Sequence, residues 1–278
     1  MGLVAEKVIL VTGATDGLGK AVARELADDG ARILLHGRDP ERGARALEEL
    51  GSDDSGWYQA DFASLAEVSS MAERLLAEQE RLDVLVNNAG VGSTLPGEGD
   101  RLESRDGYEL RCAVNYLAGF LLTQLLEPLL VRSAPARIVN VSSAGQMAID
   151  FDDVMLERSY DGTRAYCQSK LAQVMHTFDL AQRHADDGVT ANCLHPASYM
   201  PTKIVLAARG SAMSSLEEGV RATTRLIADP ELDGTTGRYF DGLREASAHA
   251  QAYDTDARHR LRELSERLVS ETIGARRG

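Results

Sequence analysis

Short runs of consecutive hydrophobic residues recur along the chain, each closed by a glycine or polar turn and followed by a helical repeat. Lys7–Thr12 is a continuous apolar run, and Ala31–His36, Leu82–Asn87 and Arg137–Ser142 are mostly apolar with single polar interruptions. That is the pattern of strands buried on both faces, as in a parallel sheet. Trp57–Asp61, Val189–His195 and the short run Thr236–Phe240 complete the predicted strands. Between them lie helical patterns over Lys20–Ala27, up to Leu50, Ser64–Glu80, Asp106 to about Val131, Ala165–Ala181 and up to Asp229, with a polar terminal helix over about 254–272. Regular alternation of strand and helix predicts an α/β fold: a single doubly wound parallel sheet with helices on both faces. No linker or shift in composition divides the chain, so 1–278 reads as one domain. An irregular stretch covers 146–163 and a flap about 197–217. There is no internal repeat and no low-complexity tract.

Composition narrows the partners. The chain has 278 residues, 44% of them hydrophobic, enough to bury a sizeable core. Its net charge of −13 argues against nucleic acid and anionic membrane surfaces and leaves a small molecule as the expected partner. Cys112, Cys167 and Cys193 show neither metal-ligand spacing nor a disulfide framework, so no metal centre is expected and a reducing cytoplasm fits. The chain runs straight into its first strand, and no apolar run reads as long enough to span a membrane.

The chemistry sits at the ends of the predicted strands. The first ends in Thr12-Gly13-Ala14-Thr15-Asp16-Gly17-Leu18-Gly19, and a helical pattern follows at once. Strand, glycine turn and helix together form the setting in which helix N-terminal N–H groups meet a pyrophosphate. Gly13 suits the tight turn, Gly17 a close approach of backbone to ligand, and Gly19 close packing of helix on sheet. The same residues would also serve an ordinary turn. The residue about 20 positions past such glycines selects the cofactor: an acid binds a ribose diol, an arginine a 2′-phosphate. Arg38 stands there, either as that arginine or as a helix-entry residue paired with Asp39. Asp61 ends the third strand. Asn87 and Asn88 end the fourth, as structural glue, cofactor contacts or both. Asn115 sits mid-helix among apolar residues, where its poor propensity needs a reason. Tyr166 and Lys170, four apart in a helical segment, share one face. A fixed positive charge beside a phenol favours the phenolate and draws its pKa from about 10 toward neutrality, which makes a general acid or base.

Taken in order, Thr12-Gly-x-x-x-Gly-x-Gly19, Asp61, Asn87-Asn-Ala-Gly90, Asn115, Ser143 and Tyr166-x-x-x-Lys170 resemble the short-chain dehydrogenase/reductases from Lys7 to about Gly242. Within that family the chain looks most like the retinol-dehydrogenase and WW-domain-oxidoreductase branch, without a WW module. The resemblance implies a Rossmann-type fold and an oxidoreductase acting on a carbonyl or secondary alcohol with NADP(H), NAD(H) being the alternative. It implies Tyr166 as general acid, Lys170 as the residue that lowers its pKa and binds the nicotinamide ribose, Ser143 as the hydrogen-bond donor to the substrate oxygen, and Asn115 as anchor of a water relay to Lys170. It further implies a cofactor cleft formed by Gly13, Thr15, Asp16, Gly17, Leu18, Gly19, Arg38, Asp61, Phe62, Asn88, Ala89, Gly90, Tyr166, Lys170, Pro196 and Thr202. A homodimer or homotetramer would be usual.

Three features depart from the family pattern. Asp16 stands where NADP-preferring relatives often carry a basic residue, although it could simply cap the helix. Pro196-Ala197 replaces Pro-Gly, and the threonine that usually contacts the carboxamide is shifted to Thr202. Ser143 and Tyr166 lie 23 positions apart, more than is commonest. A regulator that senses NADP without chemistry could share the fold, but the whole Ser-Tyr-Lys-Asn set is kept. An extended epimerase would show other glycine spacing, and a serine hydrolase a G-x-S-x-G elbow. Around the expected nicotinamide position lie Val91, Leu95, Met147, Ile149, Tyr199, Met200, Ile204, Val205 and Leu206, with Lys203 the main charge. They predict a mostly apolar substrate pocket, although any one of them could instead pack the core.

Overall fold

The computed structural model describes residues 2–52, 54–93, 101–201 and 211–275. Among them the strands are β1 (Val8–Val11), β2 (Arg32–Gly37), β3 (Gly56–Gln59), β4 (Val84–Asn87), β5 (Ala136–Val141), β6 (Val189–His195), β7 (Arg238–Asp241) and β8 (Arg244–Ala246). The helices are α1 (Gly17–Asp28), α2 (Pro40–Leu50), α3 (Leu65–Glu78), α4 (Ala118–Arg132), α5 (Gly162–Arg183), α6 (Leu216–Ala228) and α7 (Thr255–Ala275). The strands form one sheet in the order β3-β2-β1-β4-β5-β6-β7-β8. All pairs are parallel except β7 with β8. The doubly wound sheet is therefore present. The order reverses direction between β1 and β4, the point at which open α/β sheets bind ligands beyond their carboxyl ends.

Alternation along each strand divides the core into two layers. Leu10, Leu34, Leu85 and Ile138 pack with Val68 and Leu75 of α3, Leu122 and Leu129 of α4, Leu171 and Met175 of α5, and Leu261 and Val269 of α7. Ile9, Val11, Ile33, Val86 and Val139 pack on the opposite side with Val22 and Leu26 of α1, Ala46 of α2 and Leu226 and Ile227 of α6. Helix starts follow local chemistry. Asp16, Asp39, Ser64, Asp161 and Ser215 each cap a helix through a side-chain oxygen, and Pro40 opens α2.

Several expectations need correction. The helix read from Asp106 begins only at Leu110, because Glu103 and Glu109 form a small antiparallel bridge first. It then passes through a π turn, Cys112–Leu117, before α4. Strand β8 escaped notice because it has three mostly exposed residues and no apolar run. The segment Cys112–Arg132 is long and apolar enough to cross a membrane, with mean hydropathy 1.4 over its most apolar window, contrary to the sequence reading. In the fold, 61% of that window is buried against neighbouring elements. Helix α7 is less independent than its polar sequence suggests. Ser265 meets the Tyr116 hydroxyl at 2.8 Å, and the Tyr108 hydroxyl donates to the Leu268 carbonyl at 2.9 Å.

Candidate active site

The glycine turn is shaped by close contacts. Gly13 has φ +65°, and a Cβ there would lie 2.8 Å from the Ala89 Cα. A Cβ on Gly19 would lie 2.4 Å from Asn88 Nδ2 and 2.5 Å from the Gly13 carbonyl oxygen. Asn88 binds the ends of β1 and β4 together: its backbone N–H donates to Thr12 Oγ1 at 2.9 Å and its amide to the Thr12 carbonyl at 2.8 Å. Asn87 points elsewhere, donating to Thr123 Oγ1 and Asn140 Oδ1 inside the core. Of the two asparagines, only Asn88 reaches the glycine turn.

The turn is buttressed from β2. Gly13 N–H donates to His36 Nδ1 at 3.2 Å, and Nε2 of the same ring lies 3.1 Å from the Ala60 carbonyl, which fits an Nε2–H tautomer. Burial pushes this histidine down to about 4, and its ring stacks on Phe62 at 4.2 Å. Arg38 is exposed at the end of β2. Asp16 caps α1 by accepting from Gly17 N–H at 2.9 Å, and its other oxygen meets Arg42 at 2.7 Å. Arg42 also reaches toward the Thr15 carbonyl, at 3.4 Å. Sequence reading passed over Arg42. Its signal was its place in the first turn of the helix that opens at Pro40, close in sequence to Arg38. Asp61 accepts from Ala63 N–H at 3.0 Å and pairs with Arg105 at 3.3 Å.

At the other end, β5 presents two serines with different surroundings. Ser142 Oγ donates to the Lys170 carbonyl at 2.8 Å. Ser143 Oγ accepts from Gly145 N–H at 3.0 Å, and it lies on the same side as Tyr166: a Cβ at Gly145 would stand 3.5 Å from Ser143 Oγ and 3.8 Å from Tyr166 Cε1. Lys170 is buried, and its ammonium donates to the Val141 carbonyl at 3.0 Å and Gln173 Oε1 at 2.9 Å. Its nitrogen stands 5.9 Å from the centre of the Tyr166 ring. The expected fall in the phenol pKa is not found here. Burial raises Tyr166 above its ordinary value, outweighing the lowering influence of the nearby Ser143 hydroxyl, and burial pushes Lys170 down to about 7. Two neutral acceptors do not offset the loss of water around an ammonium. Asn115 lies in the π turn, a distortion common at functional sites. Its Oδ1 accepts from Val91 N–H at 2.7 Å, and its amide donates to the Val91 carbonyl at 3.1 Å and Ser169 Oγ at 2.9 Å. It touches the loop after β4 and the helix of Tyr166 rather than Lys170 itself. Among the described residues no group of acids, histidines and cysteines is arranged to hold a metal.

A family model described as short chain dehydrogenase matches residues 7–209. The chain belongs to the short-chain dehydrogenase family. Human retinol dehydrogenase 13 is 37% identical over 285 residues, covering 95% of this chain and 84% of that one. An uncharacterised protein of Mycobacterium paratuberculosis superimposes with TM-score 0.79 at 28% identity, covering 96% and 94% of the two chains. A short-chain dehydrogenase of Shigella flexneri complexed with NADP gives TM-score 0.70 at 26% identity, covering 87% and 99%. This short-chain dehydrogenase is therefore an oxidoreductase dependent on a nicotinamide cofactor.

Pro196 is buried at the end of β6 in this short-chain dehydrogenase. Thr202, Lys203, Ile204, Val205, Leu206 and Leu95 lie outside the described residues. Of the expected pocket residues, Ile149 and Met200 are buried in the core, Val91 is half-buried, and Met147 and Tyr199 stand open at 46% and 42% exposure. A contributor that sequence reading missed is Gln251, in a short 3-10 turn, Ala250–Tyr253. Its amide accepts from Ile149 N–H at 2.7 Å and donates to the Ile149 carbonyl at 3.2 Å, holding the stretch after Ser143 as a strand neighbour would.

Proposed function

We propose that this short-chain dehydrogenase interconverts a bulky, uncharged carbonyl and its secondary alcohol, with NADPH preferred to NADH. The observation that carries the reading is the placement of Ser143 and Tyr166 together around Gly145, where an added Cβ would stand 3.5 Å from Ser143 Oγ and 3.8 Å from Tyr166 Cε1, at the strand ends across the switch point from the glycine turn. The residues fit a dinucleotide: Gly13 and Gly19 make a turn too tight for side chains, Arg42 pairs with the Asp16 carboxylate that caps α1, and the N–H groups at a helix N-terminus favour a pyrophosphate. When bound, a nicotinamide supplies or takes up the hydride. Tyr166 gives the proton to the carbonyl oxygen, and Ser143 Oγ donates a hydrogen bond to that oxygen as charge develops. Lys170 holds the ribose, and Asn115 fixes the loop that follows Asn88, Ala89 and Gly90. The relatives named retinol dehydrogenase and the open Met147 and Tyr199 support an apolar substrate. The free cysteines support a cytoplasmic location. With NADPH as reductant, kcat/KM should rise roughly fourfold per added methylene along a series of ketones, at about 0.8 kcal/mol for each buried CH2. A flat series, or preference for a charged keto acid, would overturn the substrate class.

The cofactor preference is read from Arg38 and Arg42, with the NADP complex of the Shigella relative in support. Arg42 brings a guanidinium to the position that Asp16 would otherwise make acidic. Arg38→Ala and Arg42→Ala should each weaken NADPH binding by about 10–100-fold, as expected for a lost hydrogen bond to a charged group, and change NADH binding little. Arg42→Ala should be the more damaging, because it leaves the Asp16 carboxylate to repel the phosphate. Titration of both cofactors into wild type and variants checks this. Equal affinity in wild type, or a preference untouched by both variants, would refute it.

A further inference from the structure

Carbonyl reduction requires Tyr166 on α5 and the loop after β4 to hold a fixed relation, since they belong to different elements. We propose that Arg111 is a positioning residue that sets this relation, an inference that rests on the oxidoreductase reading above. Arg111 is 3% exposed and lies one turn before Asn115. Its Nε donates to the Gly92 carbonyl at 2.9 Å, and one terminal nitrogen donates to the Ser93 carbonyl. Asn115 holds both the N–H and the carbonyl of Val91. Two side chains on successive turns thus grip Val91, Gly92 and Ser93 in order, directly after Asn88-Ala89-Gly90.

A buried guanidinium needs a counter-charge and partners for its donors. Glu109, 1% exposed, lies 3.4 Å from it and also accepts from Cys112 N–H at 2.7 Å. The Tyr160 hydroxyl accepts from Arg111 and donates to Glu109 Oε1 at 3.3 Å. Tyr160 comes two residues before Gly162, the first residue of α5. A Cβ at Gly162 would stand 2.9 Å from the Ser93 carbonyl oxygen and 3.1 Å from an Arg111 nitrogen. The helix of Tyr166 therefore starts against the loop that Arg111 grips. One planar fork joins the loop after β4, the turn of Asn115 and the entry to α5. A lysine, with its donors on one atom, cannot span these directions.

The test compares Arg111→Lys and Gly162→Ala with wild type, using NADPH and a saturating ketone that the wild type reduces. Arg111→Lys keeps the charge beside Glu109 but loses the fork. Gly162→Ala keeps Arg111 and displaces α5, while alanine favours the helix itself. Each should lower kcat about 10²-fold, the effect of misplacing a reacting group by about 1 Å, with the NADPH dissociation constant within about threefold of wild type. The double variant should fall little below the singles, because both break one arrangement. If Arg111→Lys does not fold, Gly162→Ala decides. A folded Gly162→Ala protein with kcat near wild type, or one that loses NADPH affinity rather than kcat, overturns the proposal. Tyr166→Phe in the same assay separates the two readings: full activity in that variant sinks the oxidoreductase mechanism, whereas its loss beside active Arg111 and Gly162 variants sinks only this inference.

Discussion

Tyr166→Phe should give a folded protein that binds NADPH as wild type does and turns over slower by about 10²–10⁴-fold, the contribution of a well-placed general acid. The substitution removes one hydroxyl and preserves the ring. The remaining polar groups, Ser143 and Lys170, keep their bonds to Gly145, Val141 and Gln173. Steady-state rates and a cofactor titration check both halves. The pH profile follows from the direction of the shift. Burial raises the phenol pKa, so the acid form persists through neutrality and carbonyl reduction keeps its proton donor there. Alcohol oxidation needs the phenolate and should accelerate as pH climbs toward that raised value. Comparable rates for Tyr166→Phe and wild type would remove the acid from the mechanism. An oxidation rate that falls as pH rises from neutrality would contradict the direction of the shift.

Strands β1, β2, β4 and β5 were legible because each carries the apolar core that burial on two faces demands, β3, β6 and β7 from their place between helical patterns, and the glycine turn because Gly13 and Gly19 have no room for a side chain. The ends of the strands then named most of the candidate site. What stayed hidden depends on packing between distant segments. No local pattern marks the extra residue per turn in Cys112–Leu117, so Asn115 showed only as a misfit in a helix. Glu109 and Arg111 drew no notice in the sequence and are buried partners. Gln251 meets Ile149 across 102 positions, and no periodicity predicts such a contact. The pKa of Tyr166 was misjudged for the same reason. Spacing put Lys170 on the right face, but where its ammonium points is set by Val141 and Gln173.

Adjacent serines at the end of β5 allow a sharper test, because they differ in what they face rather than in chemistry. Ser143→Ala should lower kcat by about 10²–10³-fold, as loss of one donor to a developing oxyanion does elsewhere. It should leave the cofactor dissociation constant unchanged, since Ser143 faces Tyr166 and Gly145 and not the glycine turn. Ser142→Ala removes a bond to the Lys170 carbonyl, which lies inside α5. Its cost should appear in stability, at about 0.5–1.5 kcal/mol for a hydrogen bond between neutral groups, with kcat within a few-fold of wild type. Denaturant midpoints and turnover measured on both variants separate the roles. If Ser142→Ala loses turnover while Ser143→Ala keeps it, the oxygen-facing serine has been misassigned and the reacting carbonyl must sit nearer the backbone of α5. If both keep turnover, stabilisation of the developing charge comes from the Tyr166 phenol alone, and the large effect of Tyr166→Phe should then grow beyond what proton transfer accounts for.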